Sequence, residues 1–170
     1  MSIGGYLDET DIQRGKRRIV VGYFFFGALV RLPLSASEFA EGLPGVAVID
    51  LTAALASIVL LGIRALRPRR FVAIVDVALF LILVEVLSQM VLLGGLVPSE
   101  LVILFGWLAV IGALMVLPSR AAFLWFVAYL ATLALAVVLP DLIDPLYVRE
   151  ATSADIAFTI FGVLIWVFPS

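Results

Sequence analysis

Long apolar runs separated by short clusters of charge, proline and glycine dominate the pattern of this chain. A hydrocarbon core about 30 Å thick takes roughly 20 helical residues to cross. Six runs come near that length: Ile19 to about Ser37, Val46 to Leu66, Phe71 to Leu93, Leu101 to Leu117, Ala121 to Val138, and Ala154 to Phe168. The joints between them are Glu38–Gly45, Arg67–Arg70, Gly94–Glu100, Pro118–Arg120, and a longer stretch from Leu139 to Ser153 that holds Pro140, Pro145 and Tyr147. Proline, glycine or charge marks each joint, as helix ends require. Runs such as VAIVDVALFLILVEVL are apolar on nearly every face and lack the alternation over about 10 residues of a membrane β-barrel strand. A helix also satisfies a lipid-buried backbone within its own segment. The expected fold is therefore all-α, a polytopic membrane protein with a bundle of six transmembrane helices over residues 19–170. Residues 1–18 form a polar arm with no small-x-small cleavage site behind it, so the arm is expected to be retained. The sixth run is short and reaches Pro169-Ser170 without a Lys or Arg, which is the pattern expected of a chain that continues into a further domain.

Composition points the same way. Of 170 residues, 64% are hydrophobic and 14% charged, and the mean hydropathy is +1.23, whereas a soluble domain is about half apolar and a quarter charged. A soluble core cannot hide that much apolar surface, so the lipid bilayer is the expected partner. The net charge of -2 and the clustering of the basic residues leave no broad basic face for nucleic acid. The chain has no Cys and no His. Thiolate and imidazole metal sites, disulfides, and the Ser-His and Cys-His catalytic pairs are thereby excluded. No cofactor and no catalytic role are expected.

Orientation follows from the basic residues. Arg14, Lys16, Arg17, Arg18, Arg64, Arg67, Arg69, Arg70 and Arg120 fall on one side of a six-span layout, leaving Arg31 and Arg149. The positive-inside rule makes that side cytoplasmic and places both termini there.

Ionisable residues inside spans are costly and are candidates for function. They are Arg31, Asp50, Asp76, Glu85 and Asp155. Counting along the helices from their cytoplasmic ends puts Arg31 at roughly 18 Å, Glu85 at roughly 21 Å, Asp50 at roughly 24 Å and Asp155 at a similar height. Ser88 and Gln89 follow Glu85 at i+3 and i+4, which gives the third span a polar patch on that level. Arg31, Asp50, Glu85, Gln89 and Asp155 are thus a candidate layer in the outer half of the membrane. Two readings fit it: a pocket open to the outer side for a small ligand or ion, with Arg31 facing an anion, or an Arg–carboxylate network that fixes the helices. A proton or cation path through the carboxylates is a third. Small residues recur at Ala128, Thr132 and Ala136 and at Ala53 and Ser57, a pattern common where helices approach closely.

The segment GGLVPSELVILFGWLAVIGALMVLPSRAAFLWFVAYLATLALA, from Gly94 to Ala136, resembles the membrane region that precedes the catalytic domain of bacterial class III adenylate/guanylate cyclases. The likeness is carried by Gly94, Gly95, Pro98, Ser99, Trp107, Gly112, Ala113, Arg120, Ala121, Trp125 and Tyr129. It implies a six-helix, multi-pass domain in a bacterial plasma membrane that pairs as a homodimer, brings two catalytic domains together, and receives a signal. The family's metal-binding and purine-recognising residues belong to its catalytic domain, so no position here inherits them. A stand-alone transporter or channel subunit using the polar layer is the alternative.

The layout predicts that reporter fusions after Arg18, Arg70 and Arg120 read as cytoplasmic and those after Gly42, Ser99 and Glu150 as external. A fusion after Arg18, Arg70 or Arg120 on the outside would overturn the six-span layout.

Overall fold

A computed structural model describes residues 11–66, 70–96, 99, 102–143 and 145–147. Among these residues the chain is helical, with five helices: α1 (Asp11–Ala40), α2 (Pro44–Leu66), α3 (Phe71–Leu92), α4 (Val102–Val116) and α5 (Ser119–Leu142). By length and composition, α1, α2, α3 and α5 can each cross a membrane, and α4 is a shorter apolar helix. The sixth expected span, 154–168, and Asp155 lie outside the described residues.

The helices depart from the expected runs mainly at their ends. α1 begins at Asp11, not Ile19, so part of the polar arm is helical. Its charged residues suit a solvated helical turn, and Asp11 complements the positive end of the helix dipole. α1 also runs through Pro33, which leaves the Leu29 carbonyl without its usual i+4 donor. α5 likewise continues past Val138 and through Pro140 to Leu142. A proline so near the last turn removes one hydrogen bond, and the Ile143 N–H still closes on the Leu139 carbonyl at 2.9 Å.

α3 is the centre of the bundle. It packs against α2, α4 and α5, while α1 lies along α2 and touches α4. Its sequence is apolar on every face because the side not covered by other helices, at Val77, Phe80 and Val84, is turned outward, as in a membrane span. Ile74, Val75, Leu79, Ile82, Val86 and Met90 of α3 are all buried. On the outside, Phe25, Phe26, Ile58, Phe80, Leu124 and Val137 are exposed. Large apolar side chains in that position fit a surface solvated by lipid, not water.

Two reversals fix how the helices meet. α1 turns into α2 over Glu41–Leu43, with Gly42 at φ +81° and the Leu43 N–H donating to the Glu38 carbonyl at 2.9 Å. Pro44 then opens α2, where its fixed φ and missing N–H carry no penalty. α3 closes in a Schellman motif: the Gly95 N–H donates to the Met90 carbonyl at 2.7 Å and the Gly94 N–H to the Val91 carbonyl at 3.4 Å. Gly94 and Gly95 have φ of +90° and +112°, values that penalise a Cβ. Tyr147 ties the two reversals together. Its N–H donates to the Leu92 carbonyl at 3.0 Å, and its hydroxyl accepts from the Gly45 N–H at 2.9 Å.

Where α4 meets α5, Gly106 admits the ring of Tyr129. A Cβ at Gly106 would lie 2.6 Å from Tyr129 Cε2, and the ring is held in place by its hydroxyl, which donates to the Ile103 carbonyl at 3.2 Å. Gly106→Ala should therefore destabilise the bundle by about 1–3 kcal/mol through overpacking. Gly112→Ala on the same helix, where a Cβ meets nothing within 4 Å, should be neutral or slightly stabilising. Unfolding of the two variants in detergent checks this, and equal stability would contradict the packing.

Candidate polar site between helices 1, 2 and 3

Arg31 of α1, Asp50 of α2, and Glu85 and Gln89 of α3 come together inside the bundle. The Arg31 guanidinium grips Glu85 with two bonds, Nε to Oε1 at 2.5 Å and Nη2 to Oε2 at 2.8 Å. This is the bidentate geometry in which a planar guanidinium bonds a carboxylate most strongly. Both residues are buried, Arg31 at 4% exposure and Glu85 at 7%. The sequence left Arg31 two partners on its level, Asp50 and Glu85, and the packing gives it Glu85.

The surrounding residues make room for that pair. Gly27 sits one turn before Arg31, and a Cβ there would fall 2.8 Å from Arg31 Nη1. Phe105 of α4 faces the guanidinium, with its ring centroid 5.8 Å from the guanidinium carbon, close enough for a cation–π contribution. Gln89, one turn beyond Glu85, donates from Nε2 to Asp50 Oδ1. Asp50 is 1% exposed. Its Oδ2 is buried without a hydrogen-bond partner.

Spacing along α1 carries the network further than the ionisable residues alone suggested. Ser35 and Glu38 follow Arg31 at i+4 and i+7, on one helical face. The Ser35 hydroxyl donates to the Ala47 carbonyl at 2.9 Å, joining α1 to α2. Glu38 turns Oε2 inward, where it is buried and unpartnered. That i, i+4, i+7 pattern was present in the sequence and could have identified both residues. Asp76 belongs elsewhere: it accepts from Trp125 Nε1 at 3.1 Å, which links α3 to α5 and gives this tryptophan a polar role beyond packing. Of the small-residue pairs, Ala53 and Ser57 line the crevice beside Arg31 and Glu85. Thr132 and Ala136 are buried on α5.

That crevice has a volume of about 20 Å³, enough for a water molecule but far below the several hundred Å³ of an ordinary small-molecule pocket. Among the described residues, no group of three or more Asp and Glu side chains is arranged to hold a metal ion. Arg31, which the sequence offered to an anion, is already committed to Glu85. The chemistry of the site is thus the joining of three helices by charge-assisted hydrogen bonds, with two carboxylate oxygens left over.

No protein-family model, curated protein or solved structure matches the chain.

Removing one member of the buried pair strands the other. Arg31→Met or Glu85→Leu alone should cost about 3–5 kcal/mol, while the double variant should recover most of that loss. Unfolding in detergent of the parent, both single variants and the double variant supplies the cycle. Additive losses would show that the pair does not act as a unit.

Proposed function

We propose that this chain is a non-catalytic membrane module of a signalling enzyme of the nucleotidyl cyclase type, which anchors the enzyme, pairs two copies of it and relays a signal from the outer side. The observation that carries this reading is a polar layer whose Arg31 and Gln89 donors are already taken by carboxylates of neighbouring helices. Arg31 is spent on Glu85 and Gln89 on Asp50, and the crevice beside them is about 20 Å³. Charged residues arranged this way hold helices in a defined packing, which a relay needs, and leave little room for a solute path. The resemblance over Gly94–Ala136 supports the cyclase assignment, and the Gly94-Gly95 reversal on which it partly rests is a formed helix cap. In this reading the module has six spans, with 154–168 as the last. It sits in a bacterial plasma membrane with both termini in the cytoplasm, as the distribution of Lys and Arg favours.

Fusing the chain ahead of the catalytic domain of a bacterial class III cyclase, stripped of its own membrane region, tests the proposal. The fusion should be membrane-bound and dimeric, and should form cyclic nucleotide several-fold faster than the free catalytic domain at equal concentration, because pairing raises the effective concentration of the two halves. A membrane-inserted fusion no more active than the free domain would overturn the reading. So would liposomes containing the chain that pass ions or small solutes and lose that flux on Glu85→Gln, since this result would make the chain a transporter or channel subunit.

A further inference from the structure

A groove lies between α1, α3 and α4, toward the basic end of the bundle. Its walls run from Ile19 to Phe24 on α1, from Val75 to Ile82 on α3 and from Leu108 to Val116 on α4. It exists because α1 lies along α2 and only touches α4. The groove exposes no polar atom, is open along one side and holds about 40 Å³. At Gly112 its rim is bare, since a Cβ there would meet nothing within 4 Å. A helix about 10 Å across is too broad to enter such a space, whereas a single hydrocarbon chain is not. The walls cover roughly 8–12 Å along each helix, less than the roughly 15 Å of hydrocarbon in one leaflet. An acyl chain of the leaflet at the basic end can therefore fill the groove along its length.

Lys16 stands at the basic end of this groove. It precedes Ile19 and Val20 by three and four residues, so it shares their face of α1. Its ammonium donates to the carbonyl of Val116, on the α4 wall of the same groove, at 3.0 Å. An ammonium carries three donors, and that carbonyl takes one. The acids toward this end are engaged elsewhere among the described residues: Asp11 accepts from Arg14 at 3.4 Å and Asp76 from Trp125 at 3.1 Å. Arg18, Arg70 and Arg120 are exposed at the same end, and Arg120 follows Val116 by four residues across the α4–α5 turn. An apolar groove that ends on an ammonium in a positive field matches a molecule with a hydrocarbon chain and a negative head.

We propose that the groove between α1, α3 and α4 is a binding site for an anionic phospholipid, with one acyl chain along the groove and the phosphate on the Lys16 ammonium. The chain covers apolar wall that α1 and α4 leave open to each other, and the phosphate takes donors of Lys16 that the Val116 carbonyl does not. A zwitterionic phospholipid offers the same chain and phosphate, but its own cation cancels the attraction to Arg18, Arg70 and Arg120. The site is therefore selective for a net negative head. Bound lipid joins α1 to α4 at the basic end, as Arg31 joins α1 to α3 farther along. Lipid occupancy is a property of the isolated chain and does not depend on the cyclase reading.

Native mass spectrometry of the whole chain in mild detergent, titrated with phosphatidylglycerol and separately with phosphatidylcholine, tests the site. The parent should retain phosphatidylglycerol about tenfold more tightly than phosphatidylcholine. Lys16→Gln keeps a donor on the side chain but removes its charge, and should weaken phosphatidylglycerol about fivefold while leaving phosphatidylcholine unchanged. Arg14→Gln removes a charge two residues away, on the opposite side of α1, and should leave both affinities as in the parent. Gly112→Leu places a side chain in the groove and should weaken both lipids. Equal affinity of the parent for the two lipids would overturn the proposal. So would equal losses from Lys16→Gln and Arg14→Gln, which would make the attraction a diffuse property of the basic end. Displacement of the lipid by an equal concentration of inorganic phosphate would overturn it by making the ligand a free anion. Loss of pairing between copies in the Gly112→Leu protein, with phosphatidylglycerol binding intact, would assign the groove to a second copy of the chain instead.

Discussion

The arrangement of helices rests on a single buried contact, the two-bonded grip of Arg31 on Glu85 across α1 and α3. An arginine at that depth is expensive unless a carboxylate meets it, and a carboxylate among apolar side chains is equally expensive without a cation. Each charge therefore compels the position of the other. Helix α1 is set in height and rotation by the demand that Arg31 reach Glu85, and the gap at Gly27 and the ring of Phe105 are shaped around the guanidinium. Such a pair adds less to net stability than its bond lengths suggest, because both ions had to be desolvated. Its value lies in specificity: alternative packings that separate the two charges are heavily penalised.

Lipid makes that kind of control necessary. Apolar side chains gain little by moving from lipid to a neighbouring helix, so close packing of small residues and polar contacts decide which faces meet. This bundle uses both. Gly106 lets the Tyr129 ring into the α4–α5 contact, and Asp76 takes a hydrogen bond from Trp125 to join α3 and α5. The Lys16 ammonium donates to the Val116 carbonyl at 3.0 Å, where a cation meets the negative end of α4. Ser35 and Tyr147 stitch the region of the α1–α2 turn. The central helix α3 packs one side among the other helices and turns Val77, Phe80 and Val84 outward, so both of its sides are apolar in sequence.

The sequence disclosed height far better than rotation. A helix converts residue number into distance along its axis, so counting alone put Arg31, Asp50 and Glu85 on one level, and they do meet. Which carboxylate takes the guanidinium depends on how far each helix is turned about its axis. That is a property of side-chain packing, and nothing in the spacing of Asp50 or Glu85 announces it. Ser35 and Glu38 were legible through their periodicity with Arg31, whereas the Asp76–Trp125 bond was not, because its two residues sit on helices whose relative rotation the sequence does not give. Helix ends were the weakest reading. Charge at Arg14–Arg18 and proline at Pro140 mark where a run stops being apolar, and α1 and α5 show that a helix can outlast its apolar stretch.

The central claim is that the polar layer is closed upon itself and is not an aqueous pocket. Because the natural chain has no Cys, single cysteines report accessibility without background. Ser35 is 4% exposed and bonded to Ala47, whereas Ser37, two residues on, is exposed. Ser37→Cys and Ser35→Cys proteins in sealed vesicles, treated with a charged, membrane-impermeant thiol reagent on the side of the α1–α2 turn, should behave oppositely. The Ser37→Cys protein should be labelled rapidly and the Ser35→Cys protein not at all. Labelling of both at comparable rates would mean that water reaches the Arg31–Glu85 level, which would contradict it.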